Sequence, residues 1–463
     1  MSPADLERAG KRAARRLCRM LPGLLAVLLL PVARAAETDI PTGPPQARLF
    51  ITRTPTPAEV ARRTTRAKFE PSVGCYLGAY IDFDGTLHQP FRDQNGTVHQ
   101  MPAGFEAAVG KAHAMYFFYM GYGRRLPLDW VRWLGQQNKF VHIALQPDNG
   151  LHRVKDDAYL HKLADDMARS GAKIFLRFAS EMNGDWTNYH NDPKLYREKF
   201  RLVHRVMRQR APNVALVWCP YMSPIRVIPD YYPGDDATDW VGVNLYSVTY
   251  HNNQRDDYSE HEHPCDLLAY VYRRYAARKP IMVCEFAATH YADVEGTPRP
   301  DFARRKIATL YAALPRLYPR VKAINYFDSN NVAFVPRRPF NDYSVTNDPT
   351  VLAAYRYMIS LPYFLSAPVS PGPPPPIPMM LRDGEVLRGK VRLSCWARAP
   401  SDLLTVTYKL DGYPIYRADS PDYWECIWDS GTARPGKHVL SLEVRDLRGK
   451  IRASQKVTVV IGR

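Results

Sequence analysis

The amino-acid sequence predicts a (β/α)8 TIM barrel followed by a small all-β, immunoglobulin-like sandwich. Three observations support this α/β fold class. Eight short apolar, β-prone runs recur over roughly 290 residues, with helical patterns between most of them. A proline-rich segment follows, with four consecutive prolines at residues 373–376. Beyond it, the last part of the chain alternates with period two and has almost no helical pattern.

Residues 1–35 have the pattern of an export signal. A basic region precedes an apolar run at residues 21–32, and Ala33-Arg34-Ala35 fits a small-x-small cleavage site. The run is shorter than the roughly 18–20 residues that a membrane-spanning helix needs. We therefore expect a secreted, periplasmic or cell-envelope protein without a membrane span after cleavage. An uncleaved N-terminal anchor is the alternative.

Composition and charge limit the possible partners. With 46% hydrophobic and 24% charged residues, the chain is neither disordered, collagen-like nor a small disulfide-rich domain. The net charge is +17, and it becomes +12 when the seven basic and two acidic residues of the predicted signal are removed. The basic residues are scattered and no nucleic-acid-binding motif occurs, so we expect no nucleic-acid partner. An acidic polysaccharide partner stays open, although a basic solvated surface is the simpler interpretation.

The eight runs predict the barrel strands, within a catalytic domain at residues 72–362. They lie at residues 74–81, 115–121, 140–146, 173–178, 214–219, 240–245, 281–286 and 321–327. The clearest intervening helix spans residues 193–210, where Asp192 can cap the first turn and Pro212 follows the last. A doubly wound open sheet is the alternative, but no glycine-rich phosphate loop follows the first run.

The remaining segments are predicted from composition. Residues 36–71 form a lead-in segment, residues 363–378 an extended proline-rich linker, and residues 379–463 the sandwich. Export makes a disulfide between Cys395 and Cys426 plausible, because both lie in strand-like runs of the same small domain. Three tryptophans of the tail could bind carbohydrate or pack in its core: Trp396, Trp424 and Trp428.

Two strand ends carry glutamates. The fourth run is followed by Glu181, and the seventh ends with Glu285 beside Phe286. Chemistry in such barrels occurs at the C-terminal ends of the strands, where a buried charge is costly unless it is used or paired. A pair of carboxyl groups is what glycoside hydrolysis requires. The alternative is that these glutamates form ion pairs with arginines such as Arg177.

Three segments resemble glycoside hydrolase family 26, the family best known for β-mannanases. Its acid/base segment is similar to RFASEMNGDW at residues 177–186. Its sixth-strand segment is similar to YPGD at residues 232–235 followed by DWVGVNLY at residues 239–246. Its nucleophile strand is similar to KPIMVCEF at residues 279–286. The resemblance covers roughly residues 72–360.

The resemblance implies a retaining, endo-β-mannanase-like hydrolase that acts by double displacement on a β-linked polysaccharide. Glu181 would be the general acid/base and Glu285 the nucleophile. Tyr246 would hydrogen-bond the nucleophile, and Trp186 would form a wall for the sugar. We further expect substrate-binding roles for Arg177, Asn183, Asn244 and Trp218. We also expect a monomer that holds neither a cofactor nor a metal.

The sequence departs from the family in two places, so the reaction type carries over better than the substrate. Ser180 stands where the mannanases have a histidine, and the eighth run ends Tyr326-Phe327-Asp328 without the usual tryptophan. Two other functions stay open: a non-catalytic polysaccharide-binding envelope protein and a hydrolase of an acidic exopolysaccharide.

Two further groups of residues carry weaker signals. Gln146-Pro147-Asp148 could line the cleft or serve as packing and turn residues. The loop after the sixth run contains His251, His261 and His263. These histidines could bind a metal ion, or the loop could simply be exposed to solvent.

Overall fold

A computed structural model describes residues 46–336, 340–368, 373–399, 404–419 and 424–462. The predicted signal, the start of the predicted lead-in and residues 369–372 of the predicted linker lie outside these ranges. None of the described helices combines the length and apolar character that crossing a membrane requires.

The described strands and helices follow one another along the chain. The strands are β1 Gln46–Arg53, β2 Cys75–Phe83, β3 Pro90–Arg92, β4 Val98–Gln100, β5 Met115–Gly121, β6 Phe140–Gln146, β7 Ile174–Phe178, β8 Val214–Trp218, β9 Trp240–Ser247, β10 Ile281–Ala288, β11 Tyr291–Ala292, β12 Val321–Ser329, β13 Asn341–Asp342, β14 Phe364–Leu365, β15 Ile377–Met380, β16 Glu385–Leu387, β17 Lys390–Arg398, β18 Leu404–Leu410, β19 Tyr413–Ala418, β20 Glu425–Asp429, β21 Gly436–Asp446 and β22 Ile451–Ile461. The α-helices are α1 Pro57–Ala61, α2 Pro102–Val109, α3 Leu128–Gln136, α4 Ala158–Ser170, α5 Pro193–Arg210, α6 Pro264–Tyr275, α7 Pro300–Leu317, α8 Asn331–Phe334 and α9 Pro349–Ile359.

Eight strands form a closed parallel barrel. Their order in the sheet is β12-β10-β9-β8-β7-β6-β5-β2, and β12 pairs in parallel with β2, which closes the barrel. Numbered along the chain, barrel strands one to eight are β2, β5, β6, β7, β8, β9, β10 and β12. The bounds of each strand agree with those of its predicted run to within two residues. The predicted (β/α)8 fold is therefore confirmed, and the open-sheet alternative is wrong.

Helix α5 has the predicted bounds and the predicted cap. The Asp192 side chain accepts a hydrogen bond from Leu195 N at 2.9 Å, which satisfies one of the free amides of the first turn. Tyr196, Phe200, Val203 and Met207 are all buried, as expected for one apolar stripe.

The tail forms two further sheets around a shared apolar core. One sheet has the order β15-β1-β17-β20 and the other β16-β22-β21-β18-β19. Strand β1 comes from the predicted lead-in segment and pairs antiparallel with β15 and β17, a long-range pairing that the sequence did not reveal. Trp396 and Trp424 are buried in this core, and Trp428 packs against it. The arrangement is a β-sandwich, and its immunoglobulin-like topology stays a prediction.

The cysteine pairing expected in the sandwich is absent. Cys395 and Cys426 are both free thiols. The direct cross-strand partner of Cys426 is Leu393, which leaves Cys395 two residues further along its strand. Four described cysteines of the predicted catalytic domain are buried free thiols: Cys75, Cys219, Cys265 and Cys284.

The chain divides into two compact units by its internal contacts. Among the described residues, the first unit contains Phe91–His99 and Met115–Asn244, and the second contains the remainder. The predicted site residues are divided accordingly. Glu181 belongs to the first unit and Glu285 to the second.

Lys322, near the start of barrel strand eight, is a fully buried cation. Its Nζ donates to the Ser72 carbonyl oxygen at 3.0 Å. Burial is the largest influence on this group and lowers its pKa from 10.5 to about 7, although the nearby Glu70 carboxylate partly opposes the shift.

We expect the stability of the protein to depend on this lysine. Above about pH 7 the folded chain releases a proton that the unfolded chain still holds, so this group makes the unfolding free energy rise with pH. The variant Lys322→Met should show a smaller rise between about pH 7 and pH 9, which urea unfolding at several pH values would measure. Parallel pH dependences for the two proteins would contradict the prediction.

Candidate active site

Glu181 lies in a tight turn directly after barrel strand four. Ala179 and Glu181 have φ angles of +47° and +61°, in the left-handed region that residues other than glycine rarely occupy. The Glu181 amide donates to the Cys219 carbonyl oxygen at 2.9 Å, and the Gly184 amide donates to the Glu181 carbonyl oxygen at 2.9 Å. Strained backbone held in this way concentrates at functional sites.

Both carboxyl oxygens of Glu181 accept hydrogen bonds. Asn244 Nδ2 donates to Oε1 at 2.7 Å, and Trp186 Nε1 donates to Oε2 at 2.9 Å. Glu181 is only 6% exposed. Because a buried carboxylate is costly without partners, the two donors stabilise the ionised form and fix the direction of the group.

Arg177 is fully buried in barrel strand four and acts on Asn244. Its Nη1 donates to Asn244 Oδ1 at 2.9 Å. The guanidinium carbon lies 5.6 Å from the ring centroid of Phe117 and 5.7 Å from that of Tyr119. By holding the amide oxygen of Asn244, Arg177 turns the amide nitrogen toward Glu181.

A close approach at Gly184 determines the position of the Trp186 ring. A Cβ atom at residue 184 would lie 2.3 Å from the ring, so only glycine fits there. Tyr221 meets the indole edge to face, with ring centroids 5.0 Å apart. Asn183 receives a 2.8 Å hydrogen bond from Tyr221 N and donates one of 3.1 Å to Tyr221 O. Asn183 therefore positions Tyr221, and Tyr221 supports Trp186.

Ser180 is buried in a hydrogen-bond network with barrel strand three. Gln146 Nε2 donates to Ser180 Oγ at 2.9 Å. The Tyr189 hydroxyl donates to the Ser180 carbonyl oxygen at 2.7 Å and is also within reach of Gln146 Oε1. Burial raises the pKa of Tyr189 well above its ordinary value, so the hydroxyl stays a neutral donor.

Asp148 follows the same strand. Its carbonyl oxygen accepts from Asn188 Nδ2 at 2.9 Å, while burial raises the pKa of its carboxyl group to about 6. The Gln146 side chain thus makes a structural contact with Ser180, and its place in the lining of the cleft stays a prediction.

Glu285 in barrel strand seven is paired with a tyrosine of strand six. The Tyr246 hydroxyl donates to Glu285 Oε2. The ring of Tyr246 lies 5.8 Å from that of Phe327 and 5.6 Å from that of Tyr343. Phe327 in turn stacks on Tyr80 at 5.0 Å with nearly parallel planes. This aromatic group orients the hydroxyl that contacts the carboxylate.

The other predicted residues have structural contacts. Trp218 is fully buried and packs edge to face against Tyr232 at 4.9 Å, in agreement with the packing alternative. His251 Nε2 lies 3.0 Å from Glu262 Oε2, and the His263 side chain caps helix α6. Within the ranges that the structure describes, no group of three or more His, Cys, Asp or Glu side chains is arranged to hold a metal ion.

Comparison with known proteins identifies the barrel segment around Glu181. Residues 147–261 match the family model described as glycosyl hydrolase family 26. The matched range includes barrel strands four, five and six, with Glu181, Asn244 and Tyr246. This segment of the barrel is similar to glycoside hydrolase family 26. The resemblance predicted from the sequence is thereby confirmed, although the matched range ends before Glu285.

Several known proteins align with part of the chain. Endoglucanase H of Acetivibrio thermocellus is 27% identical over 217 residues, covering 44% of this chain and 22% of that protein. Beta-1,3-xylanase TXYA of a Vibrio species is 31% identical over 106 residues, covering 21% of each protein. The chain thus spans about a fifth of the length of these curated relatives. A modular endo-β-1,4-mannanase from Cellulomonas fimi matches in structure with a TM-score of 0.45 and 15% identity, covering 84% of this chain and 94% of that chain.

Sequence reasoning missed several residues around the family 26 motifs. Tyr189 and Tyr221 contact the Glu181 turn, and Tyr80 and Tyr343 surround Tyr246 and Glu285. Burial is the main cause of the raised pKa of Tyr80, and the Glu285 carboxylate contributes to it. Tyr80 could have been found by inspecting every strand end, because it lies near the end of strand one. Tyr189 and Tyr343 lie in loops that have no such signal.

Proposed function

We propose that the chain is an exported glycoside hydrolase that cleaves a β-linked polysaccharide with retention of anomeric configuration. The observation that carries this proposal is the hydrogen bond from Tyr246 to Glu285 at the end of strand seven. The second carboxyl group, Glu181 after strand four, is held by donors on both oxygens. In a (β/α)8 barrel both strand ends belong to the face where active sites form.

The first step is glycosylation of the enzyme. A Glu285 carboxylate oxygen attacks the anomeric carbon while Glu181 transfers its proton to the glycosidic oxygen, and the bond between that carbon and oxygen breaks. The Tyr246 hydroxyl stabilises the carboxylate before attack and keeps one oxygen in place. The products are a glycosyl ester on Glu285 and a shortened chain with a free hydroxyl group.

The second step releases the sugar. Glu181, now ionised, takes a proton from water as the water oxygen attacks the anomeric carbon, and the Glu285 carboxylate leaves. Two inversions at one carbon give net retention. The donors from Asn244 and Trp186 stabilise the ionised Glu181 that this step requires.

Glu181 must be protonated before the first step. A protonated carboxyl group keeps acceptor capacity, so Asn244 and Trp186 can stay bonded to it while its O–H group faces the glycosidic oxygen. Arg177 holds Asn244 in place through the amide oxygen. The Trp186 indole is half-buried, and we expect its face to stack on the C–H face of the sugar.

The substrate class rests on the family and on charge. The two relatives are named as an endoglucanase and a β-1,3-xylanase, which supports a neutral β-glycan, the class that includes the β-mannan expected from the sequence. The +12 charge remaining after signal cleavage supports an acidic exopolysaccharide as the second candidate. These two differ in their response to salt, because screening weakens only the charged complex.

The test is release of reducing ends from a panel of mannans, xylans, β-1,3-glucans, mixed-linkage glucans and acidic bacterial polysaccharides. The mature protein is compared with Glu181→Gln and Glu285→Gln, at low and high salt, and the anomeric product is followed by NMR. Activity on one polymer that both substitutions abolish, with the β-anomer formed first, is the expected result. Equal polymer binding by all three proteins without cleavage would instead support a polysaccharide-binding protein.

A further inference from the structure

A pocket in the second unit, here called the basal pocket, lies at the N-terminal end of the barrel strands. The residues that line it precede barrel strands one, seven and eight. Active sites of such barrels form at the opposite, C-terminal end, where Glu285 lies. The polar and charged side chains of the lining are those of Arg62, Thr64, Thr65, Tyr272, Arg273 and Arg320.

Two of the three arginines in the basal pocket have no acidic partner. Arg320 is 7% exposed and donates to the Glu70 carboxylate, which neutralises its charge. The same carboxylate accepts from Thr65 N at 2.9 Å and from Thr65 Oγ1 at 2.8 Å. Arg62 and Arg273 are exposed, and neither forms an ion pair with an acidic side chain in the part of the chain that the structure describes. The pocket therefore has an excess of positive charge.

The chain segments around the basal pocket add further cations. Residues 62–70 contain four basic residues and one acidic residue, a net charge of +3. Residues 272–279 contain four basic residues and no acidic residue, a net charge of +4. A concentration of one sign of charge attracts ions of the opposite sign to that part of the surface. The basal pocket is thus suited to an anionic ligand.

Two hydroxyl groups of the basal pocket are available as hydrogen-bond donors. Thr64 Oγ1 accepts from Arg66 N at 3.0 Å, and the Tyr272 hydroxyl accepts from Arg320 N at 3.3 Å. Neither hydroxyl donates its proton to another group within the described ranges, so each O–H group can face a ligand. Burial raises the pKa of Tyr272, although the Arg320 amide and the nearby cations partly oppose the shift, so its hydroxyl stays protonated at neutral pH.

The size of the basal pocket separates two kinds of anion. Its volume is about 260 Å³, which is roughly that of eight or nine water molecules at about 30 Å³ each. A phosphate ion would leave most of this space empty. One sugar residue that carries a carboxylate fills much more of it and has hydroxyl groups for the polar lining. Guanidinium groups bind such a carboxylate through paired N–H donors.

We propose that the basal pocket binds a uronic acid residue of an acidic polysaccharide. Arg62 and Arg273 bind its carboxylate. The hydroxyls of Thr64 and Tyr272 donate to its remaining oxygen atoms. The chain thereby holds an anionic polymer at a place remote from Glu285, whichever polymer the barrel cleaves. This binding uses neither catalytic glutamate, so the inference goes beyond the proposed hydrolase function and does not depend on it.

Titration calorimetry with oligogalacturonate tests the site, because this uronic acid oligomer is α-linked and the proposed reaction cleaves β-linkages. The double variant Arg62→Gln/Arg273→Gln should bind it about tenfold more weakly or worse than wild type at low salt, since hydrogen bonds to charged groups are strong. Both arginines are exposed, so the fold should be kept. The matched control is Lys437→Gln/Lys456→Gln, which removes the same charge from exposed positions of the sandwich and should bind like wild type.

Several results would overturn the proposal. Wild type might bind no oligomer, or bind it as well as the Arg62→Gln/Arg273→Gln variant does. Equal losses in the two double variants would show attraction by net charge alone. Binding of inorganic phosphate or of phosphatidylglycerol vesicles in place of the oligomer would show a phosphate site. Reducing-end release is measured separately, so a chain that binds the oligomer and cleaves no polymer would end the proposed function while supporting this site.

Discussion

Glu285→Ala is expected to abolish hydrolysis of every substrate, whereas Glu181→Ala should still form the glycosyl ester from aryl glycosides with acidic leaving groups. Without the nucleophile no ester forms, so kcat should fall by about 10⁴-fold or more. Loss of the acid/base residue slows only those steps in which a proton must be transferred. For a sugar leaving group, this proton transfer contributes about 10²–10⁴-fold to the rate. The two carboxyl groups thus differ in their dependence on the leaving group.

Azide, added as an external nucleophile, distinguishes the two variants by the anomeric configuration of the glycosyl azide that each forms. In Glu181→Ala, azide can attack the glycosyl ester on Glu285 without base assistance and give a β-glycosyl azide. In Glu285→Ala, azide occupies the space of the missing carboxylate and gives the α-anomer. NMR of the products from an activated aryl β-glycoside distinguishes the two outcomes.

The matched control for this experiment is Asp185→Asn. Asp185 is an exposed acidic residue four positions after Glu181, and its substitution should leave kcat unchanged. The assignment of the nucleophile fails if Glu285→Ala keeps kcat within about tenfold of wild type, because the displacement would then proceed without the Glu285 carboxylate.

The barrel was predictable because its signals are local. Each strand is a short apolar run, and helix α5 has an N-cap at Asp192, a proline in its first turn and one apolar stripe. Such features depend on neighbours a few residues away, so the sequence alone determines them. The pairing of β1 with β17 has no local signal, since it joins residues about 350 positions apart. It therefore had to be seen in the structure.

The sequence predicted which residues of the candidate site lie at strand ends. It did not predict as well the directions in which their side chains point. Glu181 and Glu285 were found because a carboxyl group at the end of an apolar strand is unusual. Arg177 was expected to bind substrate, yet its strand register directs the side chain inward to Asn244. A shift of one residue along a strand reverses the face, and a sequence run does not fix that register in advance.

The C-terminal sandwich shares its core with two barrel helices. Cys265 of α6 and Ala313 of α7 belong to the same buried apolar cluster as Leu393 and Trp396 of β17. Leu317 packs against that cluster from the end of α7. These contacts lie within one compact unit, so the helices depend on the sandwich to cover their apolar side chains.

Two ion pairs join the same elements. Arg398 of β17 forms a bidentate ion pair with Asp266 of α6, in which Nη1 and Oδ1 are 2.6 Å apart. Arg316 of α7 donates to Glu425 of β20 at 2.5 Å. The side chain of Arg316 is 2% exposed and that of Asp266 is 9% exposed. Both charges are therefore almost completely removed from water and depend on partners in the sandwich.

We expect a chain that ends at residue 368 to lose the folded barrel. The truncation removes the strands that cover the apolar side chains of α6 and α7, so Cys265, Ala313 and Leu317 lose their buried contacts with the sandwich. It also leaves β1 without either neighbouring strand. Since whole domains are stable by only about 5–15 kcal/mol, the combined loss is comparable to the total stability. Soluble yield and the thermal unfolding transition would measure it.

Substitutions in the full-length chain separate the charge contribution from the loss of the domain. Arg398→Met alone should lower the unfolding free energy by about 3–5 kcal/mol, because Asp266 stays buried without its partner. Combining it with Asp266→Leu replaces the pair by apolar side chains and should recover most of that loss. A truncated protein that stays soluble and unfolds cooperatively near the full-length temperature would instead show that the sandwich is separable. The shared apolar core argues against that result, since a module that detaches would expose Cys265, Ala313 and Leu317 to water.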